Sequence, residues 1–200
     1  MKILVACEYS GRVREAFRRR GHDAWSCDLL PAEDGSQHHI QGNVVSHSLI
    51  ARGWDMLIAF PDCTYLTSSG ARWMSIPWRA EAQQWALAFV RTLWALPIRR
   101  KCIENPIGRL STLWQPPTQI VHPWQFWAGE PGKGEVKATC FWLENLPKLV
   151  PTTPNEAGRV PAVWLAAPSE DRWKDRSRTQ LGIADAMADQ WGRIEQLEAA

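Results

Sequence analysis

Hydrophobic and polar positions along this chain follow two rhythms. Lys2-Ile3-Leu4-Val5-Ala6-Cys7 is an almost unbroken apolar run closed by Glu8, the pattern of a strand covered on both faces. Gly11 then leads into Arg12–Phe17, where Val13, Ala16 and Phe17 fall at i, i+3 and i+4; this predicts a short amphipathic helix that Gly21 closes. Residues 22–27 predict a second strand ending at Cys27-Asp28, and the polar stretch from Pro31 to Gln41 predicts a loop. Gly42-Asn43-Val44-Val45 predicts a short strand, a small helix is expected near Ser48–Ala51, and Trp54–Phe60 is a strongly apolar strand. Residues 79–96 predict the clearest helix, with Trp85, Ala88, Phe89 and Thr92 on one stripe and Pro97 as its stop, followed by a strand at 100–103.

Strands alternating with helices imply an α/β fold with a mostly parallel, doubly wound sheet, because parallel neighbours need a crossover and the crossover is usually a helix. From 112 to 175 prolines punctuate short apolar pieces such as Ala138–Leu143, which predicts more loop than regular structure. Gly182–Glu198 returns to helical spacing, with Ile183, Met187, Trp191 and Ile194 on one stripe. No internal repeat or low-complexity tract interrupts the pattern.

Two hundred residues fit one domain: a strand-end half over 1–111, a loop-rich part over 112–180 and a C-terminal helix over 181–200. The first apolar run is too short for a membrane span or signal-peptide core, so a soluble, unexported protein is expected. Twenty-three Lys and Arg against 21 Asp and Glu leave a charge of +2, so any polyanion site must be local. Five cysteines without Cys-x-x-Cys spacing argue against a disulfide framework and a structural zinc site, and point to reduced thiols in a cytoplasm. Adjacent His38 and His39 read as a solvated loop rather than a metal pair. Arg12, Arg14, Arg18, Arg19 and Arg20 read as a solvated helix face at least as readily as a phosphate contact. Thirteen Trp stand out, where about two or three are ordinary; most of them, Trp85 and Trp191 included, are expected in the core, with loop-borne Trp73, Trp78, Trp124 and Trp127 open to stacking.

Functional groups of doubly wound sheets gather beyond the carboxyl ends of the strands. Glu8-Tyr9-Ser10-Gly11 is such a strand end, with a glycine that lets backbone approach a ligand or simply makes a tight turn. Asp28 stands where nucleotide-binding sheets place an acid on ribose hydroxyls, a position that often only caps a turn. Phe60-Pro61-Asp62-Cys63-Thr64-Tyr65 holds a thiol in a turn after the most apolar strand, exposed enough for nucleophilic attack. The following strand ends in Glu104-Asn105-Pro106. If the two strands are neighbours, Cys63 and Glu104 share one cleft, a nucleophile beside a proton donor, which suits addition to a heteroaromatic ring.

These residues resemble the cytosine 5-methyltransferases of DNA, and most closely the short phage- and prophage-associated members of that superfamily. Tyr9-Ser10-Gly11 resembles the end of the family's opening loop for S-adenosylmethionine, Asp28 its ribose acid, and Gly42-Asn43-Val44 the turn near adenine. Pro61-Asp62-Cys63 resembles Pro-Pro-Cys, and Glu104-Asn105-Pro106 resembles Glu-Asn-Val. Lys137-Ala138-Thr139 stands where the family has a basic, base-positioning motif, and Gly182–Gly192 resembles its C-terminal cofactor-packing segment. The resemblance covers nearly the whole chain. It implies a Rossmann-like, S-adenosylmethionine-dependent sheet with Cys63 as nucleophile, Glu104 as proton donor and Asn105 as its positioning neighbour. Tyr9, Ser10, Gly11, Asp28, Asn43 and Pro61 would hold the cofactor, and Lys137, Thr139 and Arg72 a flipped cytosine in DNA. No metal is implied, and the setting would be the cytoplasm of a bacterial host carrying a phage or prophage.

The chain departs from that family at four places. Arg12-Val13 follows Gly11 where a second glycine pair is usual, Asn43 replaces a carboxylate, and Asp62 replaces a proline. Only the segment 145–180 is left for target recognition, which implies short or relaxed specificity or a partner protein. Arg72, Arg79, Arg109, Lys133, Arg172, Lys174, Arg176 and Arg178 are further candidates for DNA phosphates. Two rival functions share the cleft: carbon 5 modification of a pyrimidine nucleotide or DNA base with another one-carbon donor, and a degenerate, non-catalytic DNA-binding relative.

Overall fold

A computed structural model describes residues 1–127, 129, 134–153, 159–165, 174 and 177–194. Five parallel strands begin it: β1 (Lys2–Ala6), β2 (Asp23–Asp28), β3 (His39–Gln41), β4 (Met56–Ala59) and β5 (Arg100–Pro106). Helix α1 (Arg12–Arg18) links β1 to β2, α2 (His47–Ile50) lies between β3 and β4, and α3 (Pro77–Ala95) between β4 and β5. After α4 (Leu110–Leu113), β6 (Gln119–Val121) and β8 (Thr139–Glu144) complete a seven-stranded sheet in the order β3-β2-β1-β4-β5-β8-β6. Only β8 runs against the rest, antiparallel to both β5 and β6. A separate two-stranded piece pairs β7 (Gly134–Glu135) with β9 (Arg159–Val160); short α5 (Ala162–Leu165) follows, and α6 (Leu181–Trp191) is the last helix described. The loop-rich part is therefore built into the same sheet as the first 111 residues.

The strands are apolar throughout because both faces are covered. Ile3, Val5, Met56, Ile58 and Phe141 pack under α1 and α6, against Phe17, Met187 and Trp191. Their sequence neighbours Leu4, Ala6, Leu57, Ala59 and Trp142 point the other way, against Leu87, Val90 and Leu93 of α3. The period-2 pleat thus divides each strand between two cores. None of the described helices is long and apolar enough to cross a membrane.

Four expectations are corrected, two of them in part. The third strand lies at His39–Gln41, not at Gly42–Val45, where Asn43 Oδ1 accepts the Val45 N–H at 3.1 Å and closes a turn instead. On α3 the buried stripe is Gln83, Leu87, Val90 and Leu93, which turns Trp85 outward at 70% exposure. The tryptophans divide: Trp54, Trp142 and Trp191 are buried and Trp25, Trp94 and Trp114 pack partly buried against the core, whereas Trp73, Trp78, Trp85 and Trp164 are exposed, and Trp173 lies outside the described residues. The arginine cluster is solvated only in part: Arg19 and Arg20 stay exposed, whereas Arg14 does not. Arg14 is fully buried and bonds Ser26 Oγ, Glu15 and Asp34, while Arg19 and Arg20 reach Asp185 of α6 at 3.0 and 3.3 Å. Among the described residues no cluster could hold a metal, and all five cysteines are free. Lys133, Arg172 and Arg176 lie outside the described residues.

Candidate active site

Strand order reverses between β1 and β4, the switch point at which ligands of doubly wound sheets bind. Beyond β4, the chain turns through Phe60-Pro61-Asp62-Cys63. Asp62 Oδ1 accepts the Thr64 N–H at 2.9 Å and its hydroxyl at 2.7 Å, and the Cys63 carbonyl accepts the N–H groups of Leu66 and Thr67. Asp62 is thus the turn-former that holds the thiol at the sheet edge. Beyond β5, buried Asn105 reaches across and donates Nδ2–H to the Pro61 carbonyl at 2.9 Å, tying the two strand ends together. Cys63 and Glu104, 41 positions apart in sequence, face one cleft of about 150 Å³.

Because β8 is reversed, it enters the sheet where β5 leaves it, with Thr139 opposite Pro106. That brings Lys137 and Thr139 into the cleft wall. Thr139 Oγ1 bonds Glu104 and also lies 3.1 Å from the Asn105 carbonyl. Thr139 is the donor to the Glu104 carboxyl. Desolvation pushes the Glu104 carboxyl up, against smaller opposing effects of that hydrogen bond and the Lys137 ammonium. Desolvation also raises the Cys63 thiol, the Glu104 and Asp62 carboxylates add to that, and Lys137 opposes it.

The far wall comes from a segment that the strand-end reasoning did not single out. Ser177, Thr179 and Gln180, with Ile183 and Met187 of α6, line the cleft, as does buried Glu135, whose Oε1 accepts the Lys137 N–H at 2.7 Å. Only Ile183 and Met187 carried a signal, their helical spacing. Arg178, expected at DNA, pairs with Glu33 and lines the same wall. Tyr9 donates its hydroxyl to the Lys174 carbonyl at 3.1 Å, and Arg12 reaches the Thr179 carbonyl at 2.9 Å, so this segment is strapped onto the β1–α1 turn.

The expected cofactor residues divide. Pro61 lines the cleft; Tyr9, Ser10, Gly11, Asp28 and Asn43 lie at the ends of β1, β2 and β3, outside its lining. Gly11 adopts φ 71°, and a Cβ there would collide with the Arg14 guanidinium and the Asp34 carboxylate. Glu8, which opens the strand-end turn but was given no role from sequence, is buried and accepts the N–H groups of Val13 and Arg14 at 2.7 and 3.2 Å. Its carboxyl therefore fills the first turn of α1, where dinucleotide-binding folds place a pyrophosphate. Burial lifts the Glu8 pKa to about 7. At the same edge burial raises the Cys7 thiol, and the Asp28 and Asp62 carboxylates push it the same way. Cys7 itself has φ 58°, a strained conformation for a residue with a side chain. Arg72 is not in the cleft; it lies over the Trp73 ring.

The fold and this site define an α/β protein with a mostly parallel seven-stranded sheet and a thiol–carboxyl cleft at its carboxyl edge. No family model matches the chain, and no curated protein matches it.

Proposed function

We propose that this protein is a DNA cytosine 5-methyltransferase that uses S-adenosylmethionine. One observation carries the reading: Cys63 and Glu104, whose carboxyl burial pushes up, face one cleft from adjacent strand ends. Cys63 thiolate forms a bond to carbon 6 of cytosine while Glu104 gives its proton to ring nitrogen 3, which makes carbon 5 nucleophilic. S-adenosylmethionine, when bound, supplies an electrophilic methyl group for that carbon. Loss of the carbon 5 proton to solvent then expels the thiolate, and nitrogen 3 returns its proton to Glu104. Thr139 holds the acid in position, and Lys137 favours the thiolate.

The cofactor edge fits such a donor. Glu8 occupies the α1 turn and leaves no anion slot for a pyrophosphate, while the Asp28 and Asp62 carboxylates that act on Cys7 suit a cationic, ribose-bearing molecule. Asp28 would take the ribose hydroxyls, Asn43 the adenine edge, and Tyr9, Ser10 and Gly11 the turn beneath. Stacking in the cleft offsets part of the cost of extracting a base from a helix, a few kcal/mol. Because only the segment 145–180 separates the Lys137–Thr139 wall from α6, a partner protein for target choice belongs to this reading.

Transfer of labelled methyl from S-adenosylmethionine to cytosine in DNA tests it. The wild-type protein should form 5-methylcytosine and be trapped covalently at Cys63 by DNA bearing 5-fluorocytosine. Cys63→Ala should lose both while keeping its circular dichroism spectrum; transfer by that variant at the wild-type rate would overturn the assignment.

A further inference from the structure

The loop that carries Cys63 continues into an aromatic, cationic surface that the cleft does not use. Ser68–Trp73 forms a 3-10 turn and Pro77–Ala95 the α3 helix, and together they expose Trp73 (47%), Trp78 (57%) and Trp85 (70%). Trp78 and Trp85 are seven residues apart and so share one helix face, about 10 Å from each other along the axis. The Arg72 guanidinium lies 4.9 Å from the Trp73 ring centre, and the Arg79 guanidinium is 5.2 Å from that of Trp78 and 5.4 Å from that of Tyr65. Neither arginine has an acidic partner among the described residues, unlike Arg14, Arg19, Arg20, Arg178 and Lys101, and Arg79 Nε is buried with no hydrogen-bond acceptor. No acid occurs between Thr64 and Ala80, and Glu81, between Trp78 and Trp85, is the first acid of α3.

This surface is fixed relative to the thiol. Gln83 of α3 donates to the Tyr65 carbonyl at 2.8 Å, Ser68 Oγ donates to the Ile107 carbonyl, and Thr67 bridges Gly108 just beyond Glu104. Flat rings with unneutralised guanidinium groups are complementary to bases with exposed faces on a phosphate backbone. Paired bases in a duplex hide those faces.

We propose that the Trp73–Trp78–Trp85 surface binds an unpaired stretch of DNA next to the target cytosine, so that single-stranded or locally melted DNA is the preferred substrate. This rests on the reading of the cleft as a DNA-modifying site. Binding of a fluorescein-labelled oligonucleotide of about twelve nucleotides, single-stranded or as a blunt duplex, is measured by anisotropy with the Cys63→Ala protein, so that no methyl transfer is needed. The single strand should bind more tightly than the duplex. Trp73→Ala and Trp78→Ala should each weaken single-strand binding about tenfold and leave duplex binding unchanged, with Trp78→Phe restoring most of the loss. Arg72→Ala and Arg79→Ala should each lower the salt dependence by about one ion.

Equal affinity for the two DNA forms, or alanine variants that hold the single strand as tightly as the parent, would overturn the proposal. So would a surface that binds neither form. Methyl transfer into duplex that survives Trp78→Ala at full rate removes this proposal and leaves the enzyme assignment standing. Tryptophan-dependent strand binding without methyl transfer by the wild-type protein does the reverse.

Discussion

Cys63 and Glu104 share one desolvated cleft, so ionising either raises the cost of ionising the other. The Glu104 carboxylate pushes the thiol up, whereas Lys137 pulls it down. Glu104→Gln should therefore shift the pH profile of Cys63 alkylation to lower pH and speed the reaction about tenfold at about pH 8, and Lys137→Met should move it the other way. Peptide mass spectrometry after iodoacetamide isolates Cys63 from the other four thiols; unmoved profiles would separate the pair. Glu8 makes a second titration prediction. Its carboxyl is neutral in folded and unfolded chains below the ordinary value of 4.5, and the unfolded chain alone releases the proton between there and about 7. Stability from this group is thus lost as pH rises through that window, by roughly 3 kcal/mol. Glu8→Gln keeps an acceptor for the α1 turn and should flatten that slope in urea denaturation; parallel profiles would refute it. Cys63 and Glu104 were legible in the sequence because each follows an apolar run that announces a strand. Glu8 was not, since a carboxyl folding back onto N–H groups five and six residues later leaves no periodic trace.

Among elements, the crossing of two loops decides the cleft. Gly108, just past β5, lies against the loop after Cys63 so closely that an added Cβ would stand 2.1 Å from the Leu66 carbonyl oxygen. The Arg109 N–H donates to that same oxygen at 2.6 Å. Gly108→Ala must push the two loops apart, at about 1–3 kcal/mol of stability, and a shift of about 1 Å at the thiol should slow the proposed methyl transfer about 100-fold. Denaturation and single-turnover transfer measure the two effects; normal transfer would show that the loops move independently. The alternation of strands and helices was readable, and so were the order of Cys63 and Glu104 and the apolar piece that became β8. The reversal of β8 was not, because strand direction is set by long-range pairing rather than by local pattern. Trp85 misled for a related reason: α3 is apolar on more than one side, and burial of Gln83, which a hydrophobic stripe does not anticipate, sets its rotation.

At the scale of the molecule, α6 closes the structure. It packs on α1 and beneath Phe141, with Trp191 fully buried, its ring centre 6.3 Å from that of Phe141 and its Nε1–H donated to the Pro147 carbonyl at 2.9 Å. Trp191→Ala should cost about 3–5 kcal/mol. For a chain of this size that lowers the melting temperature by about 10 °C. Scanning calorimetry checks it, and a loss below about 1 kcal/mol would mean that the neighbouring side chains refill the space. Thirteen tryptophans anticipated such packing correctly at Trp54, Trp142 and Trp191, and overstated it at Trp85 and Trp164, because composition counts rings without saying which way they face.

The cleft joins residues 60–63, 104–106, 135–139 and 177–187. A ribosome delivers these in order, so a growing chain holds Cys63 and Glu104 well before Ile183 and Met187 arrive to wall them in. Until that wall docks, the thiol has lost neither its water nor its ordinary acidity. Chemical modifiers should therefore distinguish unfinished chains from finished ones at this single sulfur.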